Sequence, residues 1–360
     1  MQWLLLILAV PYLYLFLRIS RNLSLIRPYC ASDPAKVFAS VIIACRNEEK
    51  NLTSVLNDIS AQDYPGELFE LIIIDDNSSD QTFRIASGFT GIKNLRVHKN
   101  EGTGKKQAIR TGIGLSSGSL IITTDADCSM GKSWISTIAS FYEKKNPSLI
   151  ICPVALKGRQ GFLYRFQELE FLGLQGITAG CAIEGNPVMC NGANLSFPKG
   201  SYIRHSGDLH DELISGDDVF LLHSIKKEHP EKIRWLESEK AVVTTPVSPT
   251  FSLFMHQRAR WISKAGAYTD RYTKIVAIVT FIIVLLQLSL LIAGIFNPVF
   301  LPVFLAIFLL KSIPDLMILR NTAARYGKKK LMRWFLPSQF VYPFYVMGVL
   351  LDSIGPVKGG

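Results

Sequence analysis

A chain of 360 residues has room for one ordinary domain plus membrane segments, or for two small domains. Its apolar share of 48% and mean hydropathy of +0.24 are high for a water-soluble protein, and the excess gathers at the two ends, which argues against a wholly soluble chain. The net charge of +10 belongs to those ends too: residues 30–270 sum to −1, so the basic excess reads as positive-inside charge and contact with membrane lipids, with no nucleic-acid footprint.

Residues 3–17 form an apolar run, followed by Arg18, Arg21 and Arg27. A cleaved signal peptide carries its positive charge ahead of the apolar run and a small-residue cleavage site behind it. Here the charge follows, which predicts an uncleaved anchor with its N-terminus outside and residue 30 onward in the cytoplasm. The run is short against the roughly 20 residues that a span needs. Residues 37–44 then read as an apolar strand. Residues 51–62 have helical spacing at Leu52, Val55, Leu56 and Ile59. Further strands are expected at 71–75, 95–98 and 120–124, and this alternation predicts a mainly parallel sheet covered by helices.

Residues 275–296 are the clearest span, entered after Arg271 and Lys274. Residues 298–310 return to the basic cluster at 320–333, and residues 334–351 cross once more. Four spans with the middle of the chain inside satisfy every basic cluster, leaving only Lys358 on the far side. Lys311 and Asp315, four residues apart around Pro314, are expected at a membrane interface. The six cysteines show no CxxC pair or zinc-finger spacing, which fits a reducing cytoplasm.

Chemistry gathers where strands end, which is where open α/β sheets bind ligands. Three such ends carry acidic motifs: Arg46-Asn47-Glu48-Glu49, Asp75-Asp76-Asn77-Ser78-Ser79-Asp80, and Asp125-Ala126-Asp127. Two carboxylates one residue apart suit a hard divalent cation, Mg²⁺ or Mn²⁺, that also meets a phosphate. A polar turn closing the strand would look the same. Asp80 is expected to cap a helix beginning near Gln81. Gly102-Thr103-Gly104-Lys105 opens another helix with phosphate-binding character but without Walker A spacing. Farther on, Gly216-Asp217-Asp218 begins a helix, and Gln257-Arg258-Ala259-Arg260-Trp261 precedes the long span.

Taken in order over residues 38–265, these motifs resemble those of the inverting family 2 glycosyltransferases with a GT-A catalytic domain. The resemblance implies a GT-A nucleotide-sugar-binding domain with a mainly parallel mixed sheet, flanked by transmembrane helices. It implies an N-terminal membrane anchor over 1–29, a cytoplasmic catalytic domain over 30–271, and a C-terminal transmembrane region over 272–360. Asp75 would hold the nucleotide base, with Glu48 near the nucleoside and Lys105 near the base or diphosphate. Asp125 would help seat the nucleotide, and Asp127, with Asp125, would ligate Mg²⁺ or Mn²⁺. Gln257, Arg260 and Trp261 match the family's Q-x-x-R-W, which holds the diphosphate and the acceptor end. Asp217 matches the general base, with Asp218 as the alternative, because Gly216 stands where the family has Glu. The implied donor is a nucleotide sugar, expected to be a UDP-sugar, and the acceptor a lipid or glycan at the plasma (inner) membrane. A processive polysaccharide synthase and a non-catalytic nucleotide-sugar-binding scaffold are the competing readings.

Overall fold

The computed structural model describes residues 2–31, 33–210, 212–213 and 215–354. Lys358 lies outside the described residues. In chain order the helices are α1 (Val10–Leu25), α2 (Leu52–Ser60), α3 (Thr82–Ser87), α4 (Lys105–Leu115), α5 (Trp134–Lys145), α6 (Phe162–Ile183), α7 (Lys199–His205), α8 (Asp217–Glu228), α9 (Phe251–Ile262), α10 (Arg271–Phe296), α11 (Leu301–Arg325) and α12 (Phe335–Ile354). The strands are β1 (Ala39–Cys45), β2 (Phe69–Asp75), β3 (Leu95–Lys99), β4 (Leu120–Asp125), β5 (Ser129–Met130), β6 (Leu149–Ile151), β7 (Val154–Lys157), β8 (Leu195–Pro198), β9 (Ile233–Trp235) and β10 (Val243–Pro246).

These elements divide into two compact units. An α/β unit comprises Arg27–Lys157 and Met189–Pro246, and a helical unit comprises Met1–Ile26, Gly158–Val188 and Val247–Gly360.

The α/β unit holds a seven-stranded sheet in the order β3-β2-β1-β4-β8-β6-β9 and a small sheet in the order β5-β10-β7. Strands β3, β2, β1 and β4 are mutually parallel, while β8 runs antiparallel to both β4 and β6. The mixed, mainly parallel sheet expected from the sequence is therefore present. Its central strands read as unbroken apolar runs because helices cover both faces: Val41 to Ile43 and Leu71 to Ile74 are all fully buried.

Among its described residues the helical unit contains four helices long and apolar enough to cross a membrane: Gln2–Leu25, Arg271–Phe296, Pro298–Arg325 and Lys329–Ile354. The first runs on past Arg18 because that charge is paired: Arg18 meets Glu184, and Asn22 donates to the same carboxylate at 3.0 Å. The 22-residue α6 belongs to this unit as well. Gly180 lets it lie close against α1, since a Cβ there would stand 2.6 Å from the Ile19 carbonyl oxygen. Within the segment 30–271, residues 158–188 and 247–270 group with the helices. The reason is packing: Phe166 of α6 and Phe254 and Ala259 of α9 share one apolar cluster with Tyr345 and Val349 of α12.

Lys311 and Asp315, expected at a membrane interface, are packed inside the helical unit. Pro314 fails to end its helix, which continues to Arg325. Lys311 is 2% exposed near the middle of the candidate span. Its Nζ donates to Asp315 at 2.6 Å and to Gln339 at 3.0 Å, and the Tyr12 hydroxyl donates to Asp315 at 2.5 Å. A charge is tolerated there because it is paired and hydrogen-bonded across three helices.

Candidate active site

Strand register builds the site. Cys45 of β1 is level with Asp75 of β2, and Ala44 is level with Asp125 of β4. The two aspartates therefore flank the carboxyl end of β1 on either side. The loops beyond β1 and β2 are latched together. Asn47 adopts a left-handed backbone (φ 57°), and its side-chain oxygen accepts from the Ser79 backbone N–H at 2.8 Å. The Thr82 hydroxyl donates to Asp80 at 2.5 Å and accepts the Glu48 N–H at 2.7 Å. Asp80 does double duty: it accepts the Thr82 N–H at the start of α3 and the Glu49 N–H across the latch.

Asp75 is 2% exposed, and one oxygen accepts the Ser78 N–H at 3.2 Å. Its other oxygen, Oδ1, is buried without a protein donor. A buried acceptor left unpaired is costly, so it marks a place where a ligand N–H or O–H would be welcome. Asp76, named in the second acidic motif without a role of its own, has a structural task. It accepts the Gly104 N–H at 2.9 and 3.0 Å with its two oxygens and the Asn100 amide at 2.7 Å. This fixes the loop entering α4, where Gly104 takes a φ of 91° that favours glycine.

Lys105, the first residue of α4, reaches Asp125 at 2.5 Å. Desolvation opposes its charge, but Asp125, Asp217 and Asp218 outweigh that effect and hold its pKa above the ordinary lysine value. Asp127 experiences the opposite balance. Burial first, then the nearby charges of Asp125 and Glu48, push its carboxyl up to about 6. Glu48, Asp125 and Asp127 thus form a carboxylate crowd that a cation would relieve. Among the described residues no three His, Cys, Asp or Glu side chains form a full metal cage. Two protein carboxylates still suit a cation such as Mg²⁺, which commonly fills its other positions with phosphate and water.

At the start of α8, Gly216 has φ 104°, a left-handed backbone that favours glycine. Asp217 is raised above the ordinary aspartate range, by burial first and then by its neighbour Asp218. Asp218 is committed to the backbone, accepting the Gly192 N–H at 3.0 Å and its neighbour Val219 N–H at 2.8 Å. Lys106 ties α4 to the segment ahead of α8, donating to the carbonyls of Leu209 and His210. The sequence reading missed this contact, for which a second lysine beside Lys105 was the only signal.

Glu48, Asp75, Lys105, Asp125, Asp127, Asp217 and Asp218 all belong to the α/β unit. Gln257, Arg260 and Trp261 stand on α9 in the helical unit.

Residues 40–202 match the family model described as Glycosyl transferase family 2. Over 100 residues the chain is 38% identical to Glycosyltransferase AglE of Haloferax volcanii, an alignment covering 27% of this chain and 33% of that protein. Over 243 residues it is 26% identical to the beta-monoglucosyldiacylglycerol synthase of Trichormus variabilis, covering 65% of this chain and 50% of the relative. The chain thus matches between a third and a half of these relatives' own lengths. Among solved structures, the mannosyltransferase PcManGT from Pyrobaculum calidifontis, in complex with GDP-Man and Mn²⁺, covers 98% of this chain and 96% of its own, with a TM-score of 0.59 at 19% identity. That likeness shows the fold, a GT-A-like α/β unit accompanied by helices.

Proposed function

We infer that this chain, whose residues 40–202 belong to glycosyl transferase family 2, is an inverting glycosyltransferase that moves a sugar from a nucleotide sugar to a membrane-associated lipid or glycan acceptor. The observation that carries this reading is the contrast at the carboxyl edge of the sheet: a crowd of carboxylates around Asp127, beside a single lysine, Lys105, on Asp125. Such an arrangement suits a diphosphate bridged to protein through a cation.

In this reading the unpaired Oδ1 of Asp75 accepts a donor group of the nucleotide base, with Glu48 near the nucleoside. Lys105 meets the base or diphosphate, and Asp125 helps seat the nucleotide. Asp127 and Asp125 hold Mg²⁺ or Mn²⁺, which when bound offsets the charge of the departing diphosphate. Asp217 is the base. Its raised pKa brings it nearer the working pH than an ordinary aspartate, while the two backbone bonds of Asp218 make that neighbour a structural residue. Asp217 takes the acceptor hydroxyl's proton, and the oxygen attacks the anomeric carbon opposite the leaving diphosphate. One displacement inverts the configuration. Gln257, Arg260 and Trp261 contribute to diphosphate and acceptor binding.

The donor we favour is a UDP-sugar. A lipid acceptor is favoured by the four candidate spans and by the relative aligned over 243 residues, which is named for a glucosyldiacylglycerol. The α/β unit is assigned to the cytoplasmic face of the plasma (inner) membrane, on the strength of the basic residues after the first span and at 320–333. The experiment is to incubate the purified full chain with a panel of UDP- and GDP-sugars and membrane lipids and to read products by mass spectrometry. A glycosylated lipid with inverted anomeric configuration is expected. Retention of configuration, or no product with any donor although donor binds, would overturn the reading.

A further inference from the structure

Helix α9 carries Arg258, to which the family resemblance gives no role. Arg258, between Gln257 and Arg260, is 3% exposed. Glu170 of α6 grips it as a fork: Nε lies 3.1 and 3.2 Å from the two carboxylate oxygens, and Nη2 lies 2.7 Å from Oε2. The Tyr345 hydroxyl of α12 donates to the same carboxylate at 3.0 Å.

The remaining contacts of the guanidinium run along α9. Nη1 donates to Gln257 Oε1 at 2.6 Å. Because a guanidinium only donates, the Gln257 atom facing it is the oxygen, and its NH₂ is left as the outward donor of the amide. The guanidinium carbon also stands 4.2 Å from the centre of the Trp261 ring and 4.9 Å from that of Phe254. Arg258 therefore touches two of the three motif residues on its helix.

Stability alone is a weak reason for this arrangement. A buried ion pair is often matched or bettered by apolar residues of similar volume. A planar fork does what an apolar residue or an ammonium does not: it fixes several directions at once. We propose that Glu170 and Arg258 form a positioning pair that sets the Gln257 amide and the Trp261 ring for sugar transfer. This rests on the reading of α9 given above. Neither residue is catalytic; Glu170 acts through Arg258, and Arg258 acts through Gln257 and Trp261.

The test is kinetic and uses the full-length chain with Arg258→Lys, Gln257→Ala and the two combined. Lysine keeps the charge beside Glu170 but loses the fork and its reach to Gln257. Arg258→Lys should keep its thermal midpoint close to the wild type, lower kcat by about tenfold or more, and shift the donor KM by no more than about twofold. Most of that loss should vanish in the Gln257→Ala background, since the two changes break one unit. If Arg258→Lys does not fold, Glu170→Gln, which preserves size, should show the same split and the same coupling. A folded Arg258→Lys or Glu170→Gln with wild-type kcat would overturn the proposal, as would an undiminished loss on top of Gln257→Ala. Gln257→Ala at the wild-type rate gives a distinguishable result: it would overturn the reading of α9 itself, and the positioning role with it.

Discussion

Asp218 holds Gly192: its Oδ2 accepts that backbone N–H at 3.0 Å, while Oδ1 accepts the Val219 N–H at 2.8 Å. The adjacent Asp217 is instead raised by burial and by Asp218's charge. Two neighbouring carboxylates therefore have separable tasks. Asp217→Asn should lower kcat by about 10²–10⁴-fold, the usual share of general-base catalysis, with donor affinity nearly kept. Asp218→Asn should lower thermal stability more than the chemical step. Turnover and donor binding measured on both variants decide it. A dead Asp218→Asn with an active Asp217→Asn would exchange the two roles.

The second prediction concerns pH. The Asp127 carboxyl is pushed up to about 6 by burial and by Asp125 and Glu48. Raised above its unfolded value, it binds more protons in the folded chain between the ordinary aspartate range and 6. Its ionisation therefore costs stability as pH rises through that window, and the cost is relieved on acidification. A divalent cation competes with that proton. Mn²⁺ affinity, measured by calorimetry with the nucleotide present, should be level above pH 7 and fall toward tenfold per unit below 6. In Asp127→Asn the affinity should be weak and this pH step absent. An unchanged step in that variant would place the titration elsewhere.

The strands and the acidic ends of β1, β2 and β4 were legible because buried parallel strands leave unbroken apolar runs and their ligands gather at one edge. The latch between Asn47 and Ser79, and the loop fixed by Asp76, were not, because such bonds join residues far apart in sequence. The same holds for α6 and α9. Which partners they meet depends on Phe166, Phe254 and Tyr345 coming together. The surroundings of Pro314 were illegible in another way. The helix continues through the proline, and Lys311 and Asp315 beside it are paired inside the bundle, which depends on residues of other helices.

Topology gives the third prediction. With the exposed Cys30 replaced by Ser, cysteines are introduced singly at Thr90, Lys329 and Val299. In intact cells an impermeant thiol reagent should label Val299→Cys, between the second and third candidate spans, and spare the other two. Labelling at Thr90→Cys or Lys329→Cys before lysis would reverse or break the proposed orientation.

The last prediction concerns the buried charge of the helical unit. Lys311 Nζ is bound by Asp315 at 2.6 Å and Gln339 at 3.0 Å, and it lies 4.8 Å from the centre of the Tyr342 ring. Asp315 is in turn bound by the Tyr12 hydroxyl at 2.5 Å and the Gln339 amide at 3.0 Å. Removing one member leaves the other charged and unpaired away from water. Lys311→Met should therefore destabilise the chain by about 3–5 kcal/mol, the usual cost of breaking a buried pair. Lys311→Met combined with Asp315→Leu should cost clearly less than Lys311→Met alone, since no uncompensated charge remains. Thermal unfolding in detergent micelles, followed by circular dichroism, measures both variants. If the double variant is no more stable than Lys311→Met alone, the two side chains are not energetically paired, and the bundle is held by packing around α11 instead.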